Sequence, residues 1–574
     1  MKKQIATALL GFLLSLLLVF IALAPMPVLA QSQEGLKLSY TRVSNGKVVE
    51  GQDPIVVLAD ATQTLVSSAS IQAGKAALPF EQSWIHRGKN EITQVAQLSA
   101  NESVATVDAS ALAKQVFEFS DEVRVIQGYR CKKAKTIVNS NTIELWYAED
   151  SPVKAAPTIL GQNLGLVLEQ VRNGNFVITA TQIERIPGLD LNELWKKEQQ
   201  KARLLLDSLS YKDRLWQSRF TKLSIFENQI INFSDKAQGG GAEVLRFAQG
   251  TVVLKRVQFP EIKAGSQVFV ELQEQSNGDA YDRTGSVFLI PEDKKRTFLN
   301  GLQQGVAALP VYENGNGKKY QGVVATPDYS PLIELMRFFT PFGIQQYNYL
   351  QLKGKTWHER APYRMEISNL SSHMSGKSAY VGVFIGNYDQ GGHKISMNIS
   401  IHPSEVLRQK RLVSIPLFNT VNIMEMAKQE YATMFDHEKG LQVSFELKQA
   451  LKNAKLRYIV TGHGGWENGD EYLPKKNTIL LNGKKVFAFV PWRQDCGTYR
   501  LFNPASGNFN DGLSSSDFSR SNWCPGTATN PVYIDLGDLK AGRHNLAVKI
   551  PQEPKEGESF SAWNVSGVLQ GEGG

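Results

Sequence analysis

Ile395-Ser396-Met397-Asn398-Ile399-Ser400-Ile401 alternates apolar and polar residues without a break. A β-strand turns successive side chains to opposite faces, so this stretch buries its Ile and Met residues while Ser396, Asn398 and Ser400 meet solvent. One-sided burial of this kind marks an antiparallel sheet that covers a core on one face only. Val268, Val270 and Leu272 repeat the pattern upstream. Downstream, Thr478 to Val490 holds Asn482-Gly483 between two apolar runs, and because both residues tolerate positive φ the pair predicts a tight hairpin. Strands at similar spacing continue to Ile550, and the fold class they indicate is mainly β, built from β-sandwiches.

Working outward, 574 residues allow about three to five domains. Residues 31–187 read as a separate β-rich (α+β) module of short strands and polar turns. Asp190-Leu191-Asn192-Glu193 then looks like a helix N-terminus, and Leu191, Leu194, Trp195, Ala202, Leu205 and Leu209 recur at helical spacing, so 188–215 is expected to be one connecting helix. The strands that follow divide near His402-Pro403 into 216–402 and 403–574, the second opening with a short helical patch from Ile423 to Phe435. At the other end, Lys2-Lys3, an apolar run, Pro25, Pro27 and Val28-Leu29-Ala30 read as a signal peptide over 1–30. Its removal predicts an exported protein, secreted or periplasmic, with no membrane attachment and an oxidising environment.

Lys plus Arg exceeds Asp plus Glu by 63 − 55 = 8, and the excess is spread thinly. Without basic blocks, nucleic acid is not an expected partner. The cysteines, Cys131, Cys496 and Cys524, lack zinc spacing. No nucleophile elbow, HExxH helix or phosphate-binding glycine loop occurs. His463-Gly464-Gly465 with Glu467, Asp470 and Glu471 has no paired ligand spacing and reads as a loop; neither metal nor cofactor is expected. Gly278-Asp279-Ala280-Tyr281-Asp282-Arg283 by itself is a turn between strands, and Trp466 to Tyr472 a solvated acidic loop. Aromatic residues beside such acids are also how sugar sites are made. Arg520-Ser521-Asn522-Trp523-Cys524-Pro525-Gly526 is more specific: a Cys496–Cys524 bridge there would contribute roughly 3 to 4 kcal/mol.

Together these residues resemble the peptide-N-glycosidase F family, bacterial enzymes that cut the glycan-bearing asparagine side chain. The likeness runs from about Leu223 to the carboxyl terminus. Asp-Ala-Tyr-Asp-Arg is similar to the family's Asp-Glu-Trp-Asp-Arg, which implies catalytic roles for Asp282 and its neighbour Arg283. Glu471 falls on the second essential acid. Arg520 to Gly526 resembles Arg-Ala-Gly-Trp-Cys-Pro-Gly, implying an active-site Arg520, a nearby Trp523 and the Cys496–Cys524 disulfide. Phe339-Thr340-Pro341 matches a further segment. The fold so implied is two antiparallel eight-stranded jelly-roll-type sandwiches side by side. The activity implied is hydrolysis of the N-acetylglucosamine–asparagine amide by a monomer acting on N-glycoproteins or N-glycopeptides, with Trp466, Tyr472 and Trp523 as sugar platforms. The two arginines are expected to hold the acids ionised, and Asp279→Asn to be mild.

The family's cysteines beside both acid loops are absent here, so packing and hydrogen bonds must hold the loops. The family's third acid aligns with Gly386 and its aromatic partner with Tyr388, which implies a roomier pocket near the innermost sugar and tolerance of a core substituent such as fucose. The alternatives to an amidase are a glycan-binding protein without catalysis and an endo-N-acetylglucosaminidase-type glycosidase using Asp282 and Glu471 as its pair. In the amino-terminal module, Phe117 to Glu122, Gly128 to Ala134 and Leu145-Trp146-Tyr147 resemble small exported proteins named for a Gly-Leu-Pro-Gly-Leu-Ile peptide. That peptide is degenerate here, and Cys131 is left as a buried thiol.

Overall fold

The computed structural model describes residues 34–234, 239–240, 243–343, 352–404, 412–464, 469–507, 514–553 and 561–573. The expected signal peptide and Trp466 lie outside these. The chain forms two compact units, the first ending at Arg219 and the second beginning at Phe220. Among the described residues no helix is long and apolar enough to cross a membrane.

The first unit is one open sheet. Strand Glu34–Ser44 lies at its middle; a meander from Ile55–Ala59 to Glu102–Asp108 extends one side and another from Glu118–Ile126 to Phe176–Pro187 the other. The segment expected as a single connecting helix is two, Leu191–Gln199 and Ser208–Gln217, each capped by an aspartate, Asp190 and Asp207. Between them Leu204–Leu205 pairs parallel with the edge strand at Val104 and Ala105, and that pairing interrupts the helix. The apolar stripe packs on the first unit's own sheet: Leu191 lies with Leu58, Leu65, Trp84 and Val95, while Tyr211 and Leu215 pack with Ala96, Leu98 and Val104. Leu209, counted in that stripe, is 78% exposed.

The second unit holds both sandwiches. In the first, a four-stranded sheet places Thr221–Ile231, His393–His402, Gln267–Ser276 and Ala361–Glu366 side by side. It packs on a sheet whose long strands are Val252–Gln258, Ser378–Ile385, Thr284–Pro291 and Ile333–Phe339, with short strands at its edges. Ile395, Met397, Ile399 and Ile401 point into the core, as their alternation requires. The second sandwich sets Leu412–Asn419, Ala562–Gly573, Leu451–His463 and Val532–Leu539 against Leu441–Leu447, Gly542–Lys549, Asn477–Leu481 and Lys484–Phe489. Asn482 and Gly483, at φ of 51° and 79°, make the expected hairpin. The helical patch is only a short 3₁₀ turn, Glu425–Ala427.

Two features lock the sandwiches together. Ala528–Thr529, from the second half of the chain, pairs with Arg337 and Phe338 at the edge of the first sandwich. Beside it lies a buried polar seam. Arg337 donates from Nη2 to Glu334 at 2.7 Å and from Nη1 to the Asn564 carbonyl at 2.6 Å, while Arg457 donates to the carbonyls of Glu334 and Leu335, both at 2.9 Å. These bonds are directional, so the seam fixes how the two sandwiches meet. The acid loops lie at that junction.

Candidate active site

The first acid loop joins Gln267–Ser276 to Thr284–Pro291, and Asp279 is its internal hub. Its carboxylate takes the Tyr281 N–H at 3.1 Å, Arg283 Nε at 2.7 Å and Arg283 Nη2 at 3.1 Å. Ser276 Oγ donates to the Asp279 carbonyl at 2.5 Å, and the Arg283 N–H donates to Thr340 Oγ1 at 2.8 Å. Thus Phe339-Thr340-Pro341 serves as a brace for the loop. Asp279 is buried, with its carboxyl held down at about 2: burial opposes the charge, but the His393 imidazole 3.5 Å away and the two bonds from Arg283 outweigh it. A mild Asp279→Asn effect is therefore not expected. The residue is a hub of the loop, not a solvated turn acid.

The second acid loop follows the Leu451–His463 strand. Asp470, read from sequence as solvated, is buried and accepts from the Trp563 indole at 2.6 Å; it anchors the loop on the sandwich core. Glu471 then faces the junction, its Oε2 3.3 Å from the Gly464 N–H. Arg520 connects the loops: Nη1 donates to Glu471 Oε1 at 2.5 Å and to Asp282 Oδ2 at 3.1 Å, and Nη2 to the Ser515 carbonyl at 2.6 Å. The Asp282 and Glu471 side chains are 15% and 16% exposed, so both open to a small patch of solvent. Cys496 and Cys524 form a disulfide across 28 positions, pinning the segment just past Arg520.

Asp282 has a carboxyl pushed up to about 7. Burial is the main cause; Arg520 and Arg283 pull downward, and the negative charge of Glu471 pushes upward. The arginines therefore do not keep Asp282 fully ionised, because Arg520 divides one N–H-bearing nitrogen between two acids and Arg283 spends its bidentate edge on Asp279. A carboxyl that changes charge near neutrality can take up and release a proton. Among the described residues no group of His, Cys, Asp and Glu is placed to hold a metal.

Family models match three successive stretches: the N-glycanase peptide N-terminal domain over 38–213, the amino-terminal part of peptide-N-glycosidase F over 222–401, and its carboxyl-terminal part over 430–570. Two solved structures of PNGF-II are each 54% identical over 94% of this chain; they are covered to 100% and 98%, with TM-scores of 0.83 and 0.79. The chain belongs to the peptide-N-glycosidase F family. It is an amide hydrolase of the peptide-N-glycosidase type. No curated protein matches.

The other expected residues of this peptide-N-glycosidase fall in different places. Tyr388 is 56% exposed; its ring lies 5.5 Å from the Arg283 guanidinium and its hydroxyl donates to Glu425 at 3.2 Å, so it offers a free face beside the first acid loop. Gly386 donates its N–H to the Thr284 carbonyl at 3.0 Å, and a side chain grown there would first meet the Phe384 ring, at 3.1 Å. Tyr472 is half-buried, with Phe518 edge-on at 6.2 Å and the Arg520 guanidinium 5.2 Å from its centroid. Trp523 is no sugar platform. It is 3% exposed, stacked on Phe339 at 4.3 Å, bonded through its indole to the Gly462 carbonyl at 2.9 Å, and 4.4 Å from the Arg520 guanidinium. It supports Arg520 from within. His463, beside it, is driven down to about 3 by burial and the nearby arginines, and stays neutral.

Sequence reasoning missed Glu274, His393 and Phe518. Phe518, 53% exposed, had no pattern to reveal it. The other two did: Glu274 continues the inward register of Val268, Val270 and Leu272, and His393 that of Ile395 and Met397. A polar residue on an apolar register is a buried polar residue, and burial demands partners.

Proposed function

We propose that the enzyme is an exported peptide-N4-(N-acetyl-β-glucosaminyl)asparagine amidase that releases the whole glycan and leaves aspartate in the peptide. What carries this reading is Arg520 Nη1, which joins Asp282 of one sandwich to Glu471 of the other and gathers two carboxyls, a cation and exposed aromatic faces at one junction. The disulfide and the leader sequence support export.

In this reading Asp282 takes a proton from the attacking water, which its raised proton affinity favours. Water oxygen bonds to the asparagine side-chain carbonyl carbon, the carbon–nitrogen bond breaks, and the proton passes to the departing nitrogen. The products are a carboxylic acid and a glycosylamine, which loses ammonia in solution. Glu471, paired with Arg520, receives the N–H and hydroxyl groups of the innermost sugar. Arg520 and Arg283 supply donors for charge that develops on the carbonyl oxygen. Tyr388 and Tyr472 supply stacking faces, and the space at Gly386 admits a core substituent. Equal rates for parent and Gly386→Glu on core-fucosylated substrate would refute that last assignment.

Mass spectrometry of one treated glycopeptide tests the whole reading. A sugar-free peptide carrying aspartate supports it. A peptide retaining one N-acetylglucosamine would make the enzyme a glycosidase, and an unchanged glycopeptide would make the site a binding site alone.

A further inference from the structure

Beneath the first acid loop four ionisable side chains alternate in sign. Glu274 Oε1 lies 2.8 Å from His393 Nδ1, His393 Nε2 lies 3.5 Å from Asp279 Oδ2, and Asp279 holds the Nε–Nη2 edge of Arg283. The Glu274 and His393 side chains are fully buried and that of Asp279 is 1% exposed, whereas Arg283, at 21%, reaches the open side. The row thus runs from the sandwich core to the surface beside Asp282. Its charges cancel only when His393 is protonated; a neutral imidazole would leave the buried pair of carboxylates with one cation.

The surroundings favour the protonated ring. Tyr363, from the neighbouring strand, sends its hydroxyl to the Phe339 carbonyl at 2.8 Å and borders Glu274. Ser276 is occupied with the Asp279 carbonyl, and Ile231 stands opposite His393 on the outer strand. Asp389, four positions before His393, is engaged with the N–H groups of Gly391 and Gly392 at 2.7 and 2.9 Å. Both ion-pair partners of the ring among the described residues are acids, Glu274 and Asp279. Burial works against the charge, but the two carboxylates prevail and hold His393 up at about 9.

A buried charge row is a poor source of stability, since well-packed apolar residues do as well or better. What such a row provides is direction. With Nε and Nη2 tied to Asp279, Arg283 makes no hydrogen bond through Nη1 among the described residues, and that nitrogen remains a donor at a fixed place. We propose that His393 is a positioning residue: it keeps Asp279 clamped on one edge of Arg283, so that the other edge donates to the substrate at the linkage attacked by the water that Asp282 activates. This rests on the amidase reading of Asp282.

Two measurements test it, NMR titration of the His393 ring and the pH dependence of kcat/KM on a glycopeptide. In the parent the ring should stay protonated to about pH 9, and kcat/KM should fall with loss of one proton at the same pH. Glu274→Gln keeps the imidazole and removes one of its carboxylates, so the ring titration and the alkaline limb should move to lower pH together. His393→Gln should cost about tenfold or more in kcat/KM at pH 7 and lack that limb. Should His393→Gln not fold, Glu274→Gln carries the test. A ring that titrates near the ordinary histidine value overturns the proposal. So does an alkaline limb unmoved in Glu274→Gln while the ring titration shifts, and in that case a sugar-free peptide product carrying aspartate would still uphold the amidase.

Discussion

Arg283 and Arg520 stand a few side chains apart and treat their carboxylates in opposite ways. Arg283 gives Asp279 two bonds in a closed, buried pair, and that acid stays ionised under any ordinary condition. Arg520 offers one nitrogen to two acids at once, and the acid with the longer bond, Asp282, takes up a proton near neutrality. The lesson is that an arginine beside a carboxylate does not by itself fix its charge. What decides is how many acids share the cation and how far water is excluded. The closed pair builds the loop, and the open one is left with chemistry to do.

The hardest way to break this contrast is to remove the open pair's acid. Asp282→Asn should lower glycan release a hundredfold or more, measured on a glycopeptide, yet leave a folded protein. Its stability should even rise: a folded-state carboxyl raised to about 7 disfavours the fold progressively as pH climbs from the unfolded value toward 7, so the variant should unfold at a higher Tm than the parent at pH 8. Next in size is Arg520→Lys, which keeps the charge but cannot serve two acids and the Ser515 carbonyl in one plane; kcat/KM should fall by about tenfold to a hundredfold.

Breaking the closed pair should hurt less and differently. Asp279→Asn is expected to cost roughly tenfold in activity together with a lowered Tm, since it leaves His393 and Arg283 with an uncharged partner. Because the Asp279 carboxyl is held below its unfolded value, its contribution to stability is present above about pH 4 and disappears as pH falls through about 2. Acid unfolding of parent and variant should therefore converge at low pH. The smallest effect, a shift of a pH profile that accompanies a large loss of rate, sharpens the comparison from the other side. Burial is the main reason Asp282 is raised, and Glu471→Gln removes the charge that adds to it, so the acidic limb of the residual activity should move to lower pH, read from a pH profile of kcat/KM; an unmoved limb would sever the two acids.

Legibility differed by kind of residue. Asp282, Glu471 and Arg520 lie in short strings uncommon enough to be recognised, and their neighbours gave the fold class through period-two alternation. Trp523 was recognisable in the same string but misjudged, because a tryptophan beside an active arginine looks alike in sequence whether it faces a ligand or a core. In sequence Asp279 reads as a turn residue and Asp470 as part of a solvated loop, since Asp and Gly are common in turns; only the packing of Arg283 and Trp563 against them gives their burial. Glu274 and His393 left a readable trace in the inward register of two paired strands, and their interaction across 119 positions did not.

The sequence by itself determined which residues form strands, where the hairpin at Asn482-Gly483 turns, and which acids and arginines belong to the site. These are local properties, set by side-chain alternation, φ preference and short motifs. The tertiary structure decided the electrostatics. Whether Asp282 is protonated depends on water exclusion and on a guanidinium 238 positions away, and whether Trp523 stacks on sugar or on Phe339 depends on which sheets pack together. Charge state and exposure are sums over everything nearby in space, and no stretch of chain contains that sum.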